Sequence, residues 1–242
     1  MSQRTPCSPR SATRRKLLRL LATAPLLGAC RGPSVLSQAG LQPVPPDGLP
    51  SELPAPVLRP GHEWRMVTHD ELTGLVSERM RAVVTRADAD GYDLTETPQA
   101  GNVYDVRYDR NLNLVRWRNR AFAPAYPRFA FPLAIGKSWR VDVRSSAIPA
   151  VRYGTLIERV SATVRGWERV TVPAGTFTTL RVDLAIDWRD TDAAGVWGNS
   201  SDTFWYAAEV RNAVLRHRVD YPYGGAQSNN IVTEVESFSV SA

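Results

Sequence analysis

Alternation of apolar and polar residues with a period of two dominates the chain from Trp64 onward. The clearest example covers 180–188, where Leu, Val, Leu, Ile and Trp alternate with mostly charged residues. Comparable runs lie at 76–84, 139–144, 159–165 and 215–221. Because successive side chains of a strand point to opposite faces, each run predicts a strand with one face on a core and the other in water.

Turn-forming residues separate these runs, at 89–91, 109–111, 173–175, 195 and 224–225. No segment after residue 60 has a long, clean period of 3.6 residues, so helices are not expected to build the core. A large antiparallel sheet twists and curves to protect its edges. The sequence therefore predicts a mainly β domain, built as a single antiparallel, strongly curved sheet or a half-open barrel of about eight to ten strands.

The N-terminal segment has a different character. Six basic residues and no acidic residue precede or interrupt a short apolar stretch at 17–27, which ends in Leu27, Gly28, Ala29 and Cys30. This layout resembles a bacterial lipoprotein signal peptide, in which the chain is cut before the cysteine and the cysteine carries the lipid. The resemblance implies a signal peptide at 1–29 and lipidation of Cys30. A plain secretory signal with a nearby cleavage site remains an alternative.

An export motif overlaps this segment. Arg14 and Arg15, followed by Lys-Leu-Leu, resemble the twin-arginine motif, which a receptor reads and which does not anchor the protein. An ordinary basic N-terminal region would look the same. The resemblance implies that the domain is exported already folded.

Residues 30–60 differ in composition from the domain at 61–242. Eight prolines occur in 31–60, and proline removes a backbone donor and fixes φ. We therefore expect a semi-extended tether without a helix or central strand. Arg31, rather than aspartate, follows Cys30, which in sorting rules resembling the enterobacterial one leads to the outer membrane. The expected location is the periplasmic side of that membrane, with the N-terminal lipid as the membrane contact.

Charge and cysteine content narrow the function classes. The six basic residues of the signal peptide account for the net charge of +6, so the rest of the chain is balanced at 24 basic and 24 acidic residues. A nucleic-acid partner is not expected, because phosphate binding requires a basic surface. Only Cys7 and Cys30 are present, so the mature domain is expected to hold together without a disulfide.

Three motifs resemble a signature of uncharacterised bacterial envelope β-domains: Pro-Leu-x-x-Gly-x-x-Trp at 132–139, Val-Pro-Ala-Gly-x-Phe at 172–177 and Trp-Tyr-Ala at 205–207. The resemblance implies structural roles for Gly136, Trp139, Pro173, Gly175, Phe177, Trp205 and Tyr206. Some of these domains are similar to the half-open barrels of lipoprotein carriers, whose concave face holds acyl chains. By analogy with these carriers we expect the domain to bind a ligand, but a shared fold does not by itself establish a function.

Candidate chemistry is sparse. His62, His69 and the neighbouring carboxylates Glu63, Asp70 and Glu71 do not have the spacing of a helical metal site, so no metal is predicted. The chain has no Gly-x-Ser-x-Gly elbow, and Gly136 to Ser138 lack the glycine and helix of a phosphate-binding loop. Trp188 and Trp197 flank a polar loop and are the candidate residues for contact with a ligand or partner.

These observations favour a lipid-anchored, periplasm-facing envelope protein that is not an enzyme, needs no cofactor and binds an apolar ligand or an envelope protein. The alternative is a hydrolase of envelope polymers that uses clustered carboxylates or a histidine. A concave apolar cavity would favour a carrier, convergent carboxylates an enzyme, and a filled barrel with an exposed aromatic patch a partner scaffold.

Overall fold

The computed structural model describes residues 34–148, 154–193, 195–222, 225 and 227–240. These contain one short helix and fifteen strands. In chain order the elements are α1 (Val35–Gln38), β1 (Gln42–Val44), β2 (Glu52–Leu53), β3 (Glu63–Asp70), β4 (Val76–Asp88), β5 (Gly91–Pro98), β6 (Tyr104–Asp109), β7 (Leu114–Trp117), β8 (Arg120–Tyr126), β9 (Leu133–Ala134), β10 (Ser138–Ala147), β11 (Thr155–Val172), β12 (Gly175–Asp190), β13 (Trp197–Ala207), β14 (Asn212–Pro222) and β15 (Asn229–Ser239).

Twelve of the described strands form a closed antiparallel barrel. Neighbours in the ring follow chain order from β3 to β8 and from β10 to β15, and β10 pairs with β8. The first barrel strand, β3, then pairs with the last, β15, over the whole length from Glu63↔Ser239 to Asp70↔Ile231. The mainly β class is thus present, but the prediction of a single curved sheet or half-open barrel of eight to ten strands is wrong. Closure removes the free edges that an open sheet would leave exposed.

Both faces of several strands are buried. On β14, Arg216 and Arg218 point into the barrel, while Leu215 lies on the outer wall and is fully buried. The apolar run at 215–221 is predicted to face the core, and its residues Leu215 and Val219 are buried, on the outside of the barrel rather than in the lumen. They are covered because other segments pack on this wall, among them the tip of the β11–β12 hairpin, where the Ala174 N–H donates to the Val235 carbonyl.

Residues 34–60 are the main covering of the outer wall and are here called the wall segment. Its apolar side chains Val35, Leu53 and Leu58 are buried in the core. β1 pairs with β11, and β2 pairs with β9. Pro43 is tolerated in β1 because an edge strand does not need every backbone N–H for sheet hydrogen bonds. The sequence predicts no helix or central strand here, and the structure differs by one four-residue helix, α1; β1 and β2 are short edge strands. The apolar residues between the prolines pack on the barrel because they gain more by packing than by staying in water.

The two ends of the barrel differ and are named here. The mouth end carries the β3–β4, β5–β6, β7–β8 and β12–β13 turns. The floor end carries the β4–β5, β6–β7 and β13–β14 turns, whereas the β11–β12 turn lies on the outer wall. The wall segment connects the two. At the mouth end the Leu36 N–H lies 3.3 Å from both carboxylate oxygens of Glu71, and at the floor end Arg211 donates to the Val57 carbonyl.

Candidate functional site: the lumen of the barrel

The interior of the barrel contains a cavity of about 470 Å³. Apolar side chains form much of its wall, including Met66, Met80, Leu94, Leu114, Phe122, Phe204 and Ile231. This volume lies within the range of small-molecule binding sites, which are mostly apolar with a few placed polar groups.

Aromatic side chains close the cavity at the floor end. Phe129 follows β8 and is fully buried, held by a bond from its N–H to the Asn113 side-chain oxygen. Its ring packs edge-on against Phe204 and Tyr206 at centroid distances of 5.5 Å each. Toward the mouth end, polar residues such as Glu78, Arg120 and Asn229 line the cavity. The lumen is therefore an apolar chamber with a filled floor and a charged upper part.

Two arginines share one carboxylate in the lumen wall. Arg216 donates to both oxygens of Asp202, at 2.8 and 2.6 Å, and Arg218 contacts the same carboxylate at 3.4 Å. Asp202 is fully buried. Burial opposes the charge of Arg216, but Asp202 outweighs it and raises the pKa of the guanidinium. Burial would likewise raise the pKa of Asp220, yet the bond from Arg218 holds it below its usual value. These arginines and aspartates neutralise one another and form one charged stretch of the lumen wall.

Arg118 lies in the β7–β8 turn at the mouth end. It donates to Glu78 at 2.9 and 3.1 Å, and its guanidinium stacks 4.7 Å from the rings of Tyr104 and Trp117. Its Nε is buried and has no hydrogen-bond partner among the described residues. Arg118 pairs with Glu78 through Nη2 and keeps its Nε–H unpaired, so it can donate a further hydrogen bond to a ligand acceptor.

Arg128 is held by aromatic rings rather than by a carboxylate. Its guanidinium lies 4.8 Å from the centroid of Phe204 and 5.4 Å from those of Tyr108 and Phe129. Its Nε is also buried without a partner in the described part of the chain, where no carboxylate lies within ion-pair distance of it. Arg128 is half-buried and interacts with Glu96 through charge alone, without an ion-pair contact in that part of the chain, so its unpaired Nε favours an incoming anion.

Further polar groups in the lumen are incompletely satisfied. The Tyr126 hydroxyl is buried without a hydrogen-bond partner among the described residues, and burial raises its pKa. Glu96 accepts a bond from the Trp117 indole at 3.1 Å. Burial raises the pKa of Glu96, an effect that outweighs this bond and the nearby positive charges. Groups of this kind are found at binding and catalytic sites more often than elsewhere.

The two tryptophans predicted as a contact pair lie on opposite faces of the sheet. Trp188 pairs across the sheet with Gly198, and the neighbouring Trp197 with Arg189. A Cβ on Gly198 would lie 2.5 Å from the Trp188 ring, so the glycine makes room for a packed indole. Trp197 is 51% exposed at the mouth end. The two residues therefore do not form one aromatic surface.

The residues of the three sequence motifs occupy structural positions. Gly136, at φ +82°, donates its N–H to Val164, and the Trp139 indole donates to the Pro127 carbonyl. Pro173 and Gly175 form the β11–β12 turn, followed by buried Phe177. Trp205 donates to Glu168 at 2.6 Å, and Tyr206 packs on the floor aromatics. None of these residues belongs to the cavity lining.

Other sequence candidates lie outside the lumen or outside the described residues. His62 is buried and accepts a bond from the Arg59 N–H, and His69 lies 3.5 Å from Glu234. Arg14, Arg15, Leu27, Gly28, Ala29 and Cys30 lie outside the described residues. Sequence reasoning did not identify the lumen arginines. Their alternation with apolar residues was interpreted as a water-facing strand surface.

Comparisons with known proteins identify the fold. No protein-family model and no curated protein matches the chain. The structure is similar to that of a candidate lipoprotein from Parabacteroides distasonis, with a TM-score of 0.54 and 15% identity, covering 77% of this chain and 99% of that one. Weaker likenesses, at TM-scores of 0.49 and 0.40, are to a candidate exported protein with a YmcC-like fold from Bacteroides fragilis and to the hypothetical lipoprotein YmcC from Escherichia coli. At these identities, the Parabacteroides likeness shows a shared fold.

Within the described ranges, no helix has the length and apolar character needed to cross a membrane.

Proposed function

We propose that this chain is a lipid-anchored protein of the bacterial envelope whose barrel lumen binds, without transforming it, a small amphiphilic molecule that carries an anionic group. The description of the Parabacteroides neighbour as a candidate lipoprotein supports acylation of Cys30. The domain is placed in this proposal on the periplasmic side of the outer membrane because Arg31, rather than aspartate, follows Cys30. The observation that carries the binding role is Arg128, a cation in the lumen whose buried Nε has no hydrogen-bond partner and which forms no ion pair among the described residues.

The anionic group of the ligand is assigned to the floor side of the lumen, where Arg128 presents a buried Nε donor beside Phe204. A hydrogen bond between ionised partners is worth about 1.5–3 kcal/mol, and more where water is excluded. The apolar part of the ligand packs against side chains such as Met66, Met80 and Leu94. This combination favours an amphiphile over the purely apolar ligand considered from the sequence.

Three carboxylates of the cavity lining are already engaged by other side chains, which favours binding over hydrolysis. Glu78 is engaged by Arg118, Asp220 by Arg218, and Glu96 by the Trp117 indole. A hydrolase of polymers requires two carboxylates that face the same bond from opposite sides. Carboxylates already committed to arginines serve to hold those arginines in place.

The test uses two fluorescent probes of similar shape, anionic 1-anilinonaphthalene-8-sulfonate and uncharged N-phenyl-1-naphthylamine. Replacing Arg128 with Met removes the cation and keeps the stem. We expect Arg128→Met to weaken binding of the anionic probe about tenfold or more, because the lost charged bond corresponds to at least about 1.4 kcal/mol. Binding of the uncharged probe should change little.

Two further variants make the test specific. Arg144→Met removes an exposed arginine and should leave both affinities unchanged. Thr233→Trp places a bulky ring in the cavity lining and should abolish lumen binding of both probes. Circular dichroism checks that each variant is folded. Equal affinity of Arg128→Met and the unchanged protein for the anionic probe would contradict the proposal.

A further inference from the structure

Exposed apolar side chains concentrate at the mouth end of the barrel. Ten large hydrophobic residues are exposed in the described part of the chain. Seven of them lie at the mouth end. Six are in or beside three of its turns, and Ile148, directly after β10, donates its N–H to Asn119 of the β7–β8 turn. The seven are Leu72, Leu75, Val76, Val103, Ile148, Val196 and Trp197. Leu75 is 69% and Leu72 56% exposed. These seven residues are here called the mouth rim. Clusters of exposed apolar residues mark contacts with a protein or a membrane.

The start of the wall segment decides between these partners. The Leu36 N–H lies 3.3 Å from the Glu71 carboxylate, so the chain enters the described structure directly beside the β3–β4 turn that carries Leu72 and Leu75. Five residues lie between Cys30 and Leu36, so six Cα–Cα steps join them. A fully extended chain covers at most about 3.3–3.6 Å per residue, so the lipid attachment point lies within about 20 Å of this turn.

We infer that the mouth rim rests on the lipid bilayer that holds the anchor. The inference rests on the lipid anchor of the proposed function. The short connection brings the rim, rather than the floor end, to the membrane surface. Apolar side chains and an indole such as Trp197 are the groups that insert into the boundary between headgroups and acyl chains. The charged upper part of the lumen then faces the headgroups.

The experiment uses the full mature lipoprotein, reconstituted in vesicles of phosphatidylethanolamine and phosphatidylglycerol. The mature chain expected from the sequence has no unmodified cysteine, so a single cysteine can carry an environment-sensitive NBD label. Leu75→Cys reports on the rim. Val57→Cys is the matched control, because Val57 is similarly exposed, at 62%, and lies at the floor end. Lipids with a nitroxide near the headgroup act as quenchers.

We expect the label at 75 to lie about 5–10 Å into the interface, to emit at shorter wavelength and to lose about half or more of its fluorescence to the quencher. The label at 57 should remain in water and lose little. Water-like emission at both positions, or quenching at 57 alone, would overturn the inference, and the former would direct the search to a protein partner at the rim.

Two controls separate the causes of failure. A label on Ile148→Cys, beside a different mouth turn, should be quenched in the unchanged background and should lose that quenching when Leu72→Ser and Leu75→Ser are added. If the label at 148 is still quenched after Leu72→Ser and Leu75→Ser are added, the rim residues do not hold the protein on the membrane. In that case the label itself inserts, and the inference is wrong. Intact mass shows whether Cys30 is acylated, and a missing acyl chain would refute the anchor on which the inference rests. Probe binding by the lumen is measured separately on the same samples.

Discussion

Asp202 is the carboxylate on which the charged wall of the lumen depends. It is fully buried and accepts bonds from Arg216 at 2.6 and 2.8 Å. A buried ion pair gains little over an apolar pair of the same shape, but removing one partner leaves a charge without compensation. The sequence around Arg216 predicts a strand and cannot reveal that its polar face is enclosed, because enclosure depends on strands far away in the chain.

We expect Asp202→Asn to lower the free energy of unfolding by about 3 kcal/mol or more, because two arginines lose their shared negative charge. Urea denaturation measures this change. The matched control is Asp142→Asn, which removes the carboxylate of an exposed pair with Arg159 and should cost less than about 1 kcal/mol. Equal effects of the two substitutions would show that the lumen pair is not buried from water.

Glu96 predicts a dependence of stability on pH. Burial raises its pKa above the ordinary value of 4.5, so the folded protein binds the proton more tightly than the unfolded chain. Its contribution is therefore most favourable below pH 4.5 and is lost as the pH rises through the raised pKa. We expect Glu96→Gln to become progressively more stable relative to the unchanged protein over that range.

Urea denaturation at pH 4.5 and at pH 8 measures the difference. The control is Glu209→Gln, which alters an exposed carboxylate in the β13–β14 turn and should show no such trend. A stability difference for Glu96→Gln that is the same at both pH values would show that the carboxyl group is as well solvated in the folded as in the unfolded state.

At the scale of elements, the period-two pattern locates the strands better than it assigns their faces. The runs at 139–144 and 180–188 lie in β10 and β12, and the turn predicted at 173–175 joins β11 to β12. On β14 the apolar face is buried as predicted, but the polar face lines the lumen instead of facing bulk water. The pattern fails for the wall segment, where frequent prolines conceal four well-buried apolar residues, Val35, Ala39, Leu53 and Leu58.

The wall segment is expected to contribute to stability. Leu58 is 3% exposed and belongs to the core, while its neighbour Val57 points into water. We expect Leu58→Ala to lower the free energy of unfolding by about 2–5 kcal/mol through lost burial and a new cavity. Val57→Ala should change it by less than about 0.5 kcal/mol. A negligible effect of Leu58→Ala on the free energy of unfolding in urea would show that residues 34–60 do not stabilise the barrel.

At the scale of the whole molecule, closure of the barrel rests on the pairing of β3 with β15. These strands are about as far apart in the chain as the domain allows, and local patterns carry no information on such a contact. The open sheet predicted from the sequence and the closed barrel share their strands and hairpins. They differ in this one ladder, which converts a curved surface into an enclosed lumen.

Thr68 and Thr233 test the closure directly. They are paired in the ladder, and their hydroxyl oxygens lie 2.9 Å apart. We expect Thr68→Cys combined with Thr233→Cys to form a disulfide on export to the periplasm, because directly paired strand residues have the spacing a disulfide requires. Thiol titration and intact mass measure it. The pair Thr68→Cys and Thr95→Cys, on strands that do not pair, should remain reduced.

Binding in the lumen is tested most directly by native mass spectrometry of residues 31–242, exported to the periplasm without Cys30 and purified gently. We expect one small-molecule adduct per chain, which is lost on denaturation and absent from the Thr233→Trp variant, whose lumen is filled. Its mass and charge would identify the amphiphile. A bare protein mass from unchanged, folded chain, or an adduct that persists in Thr233→Trp, would contradict a ligand-binding lumen.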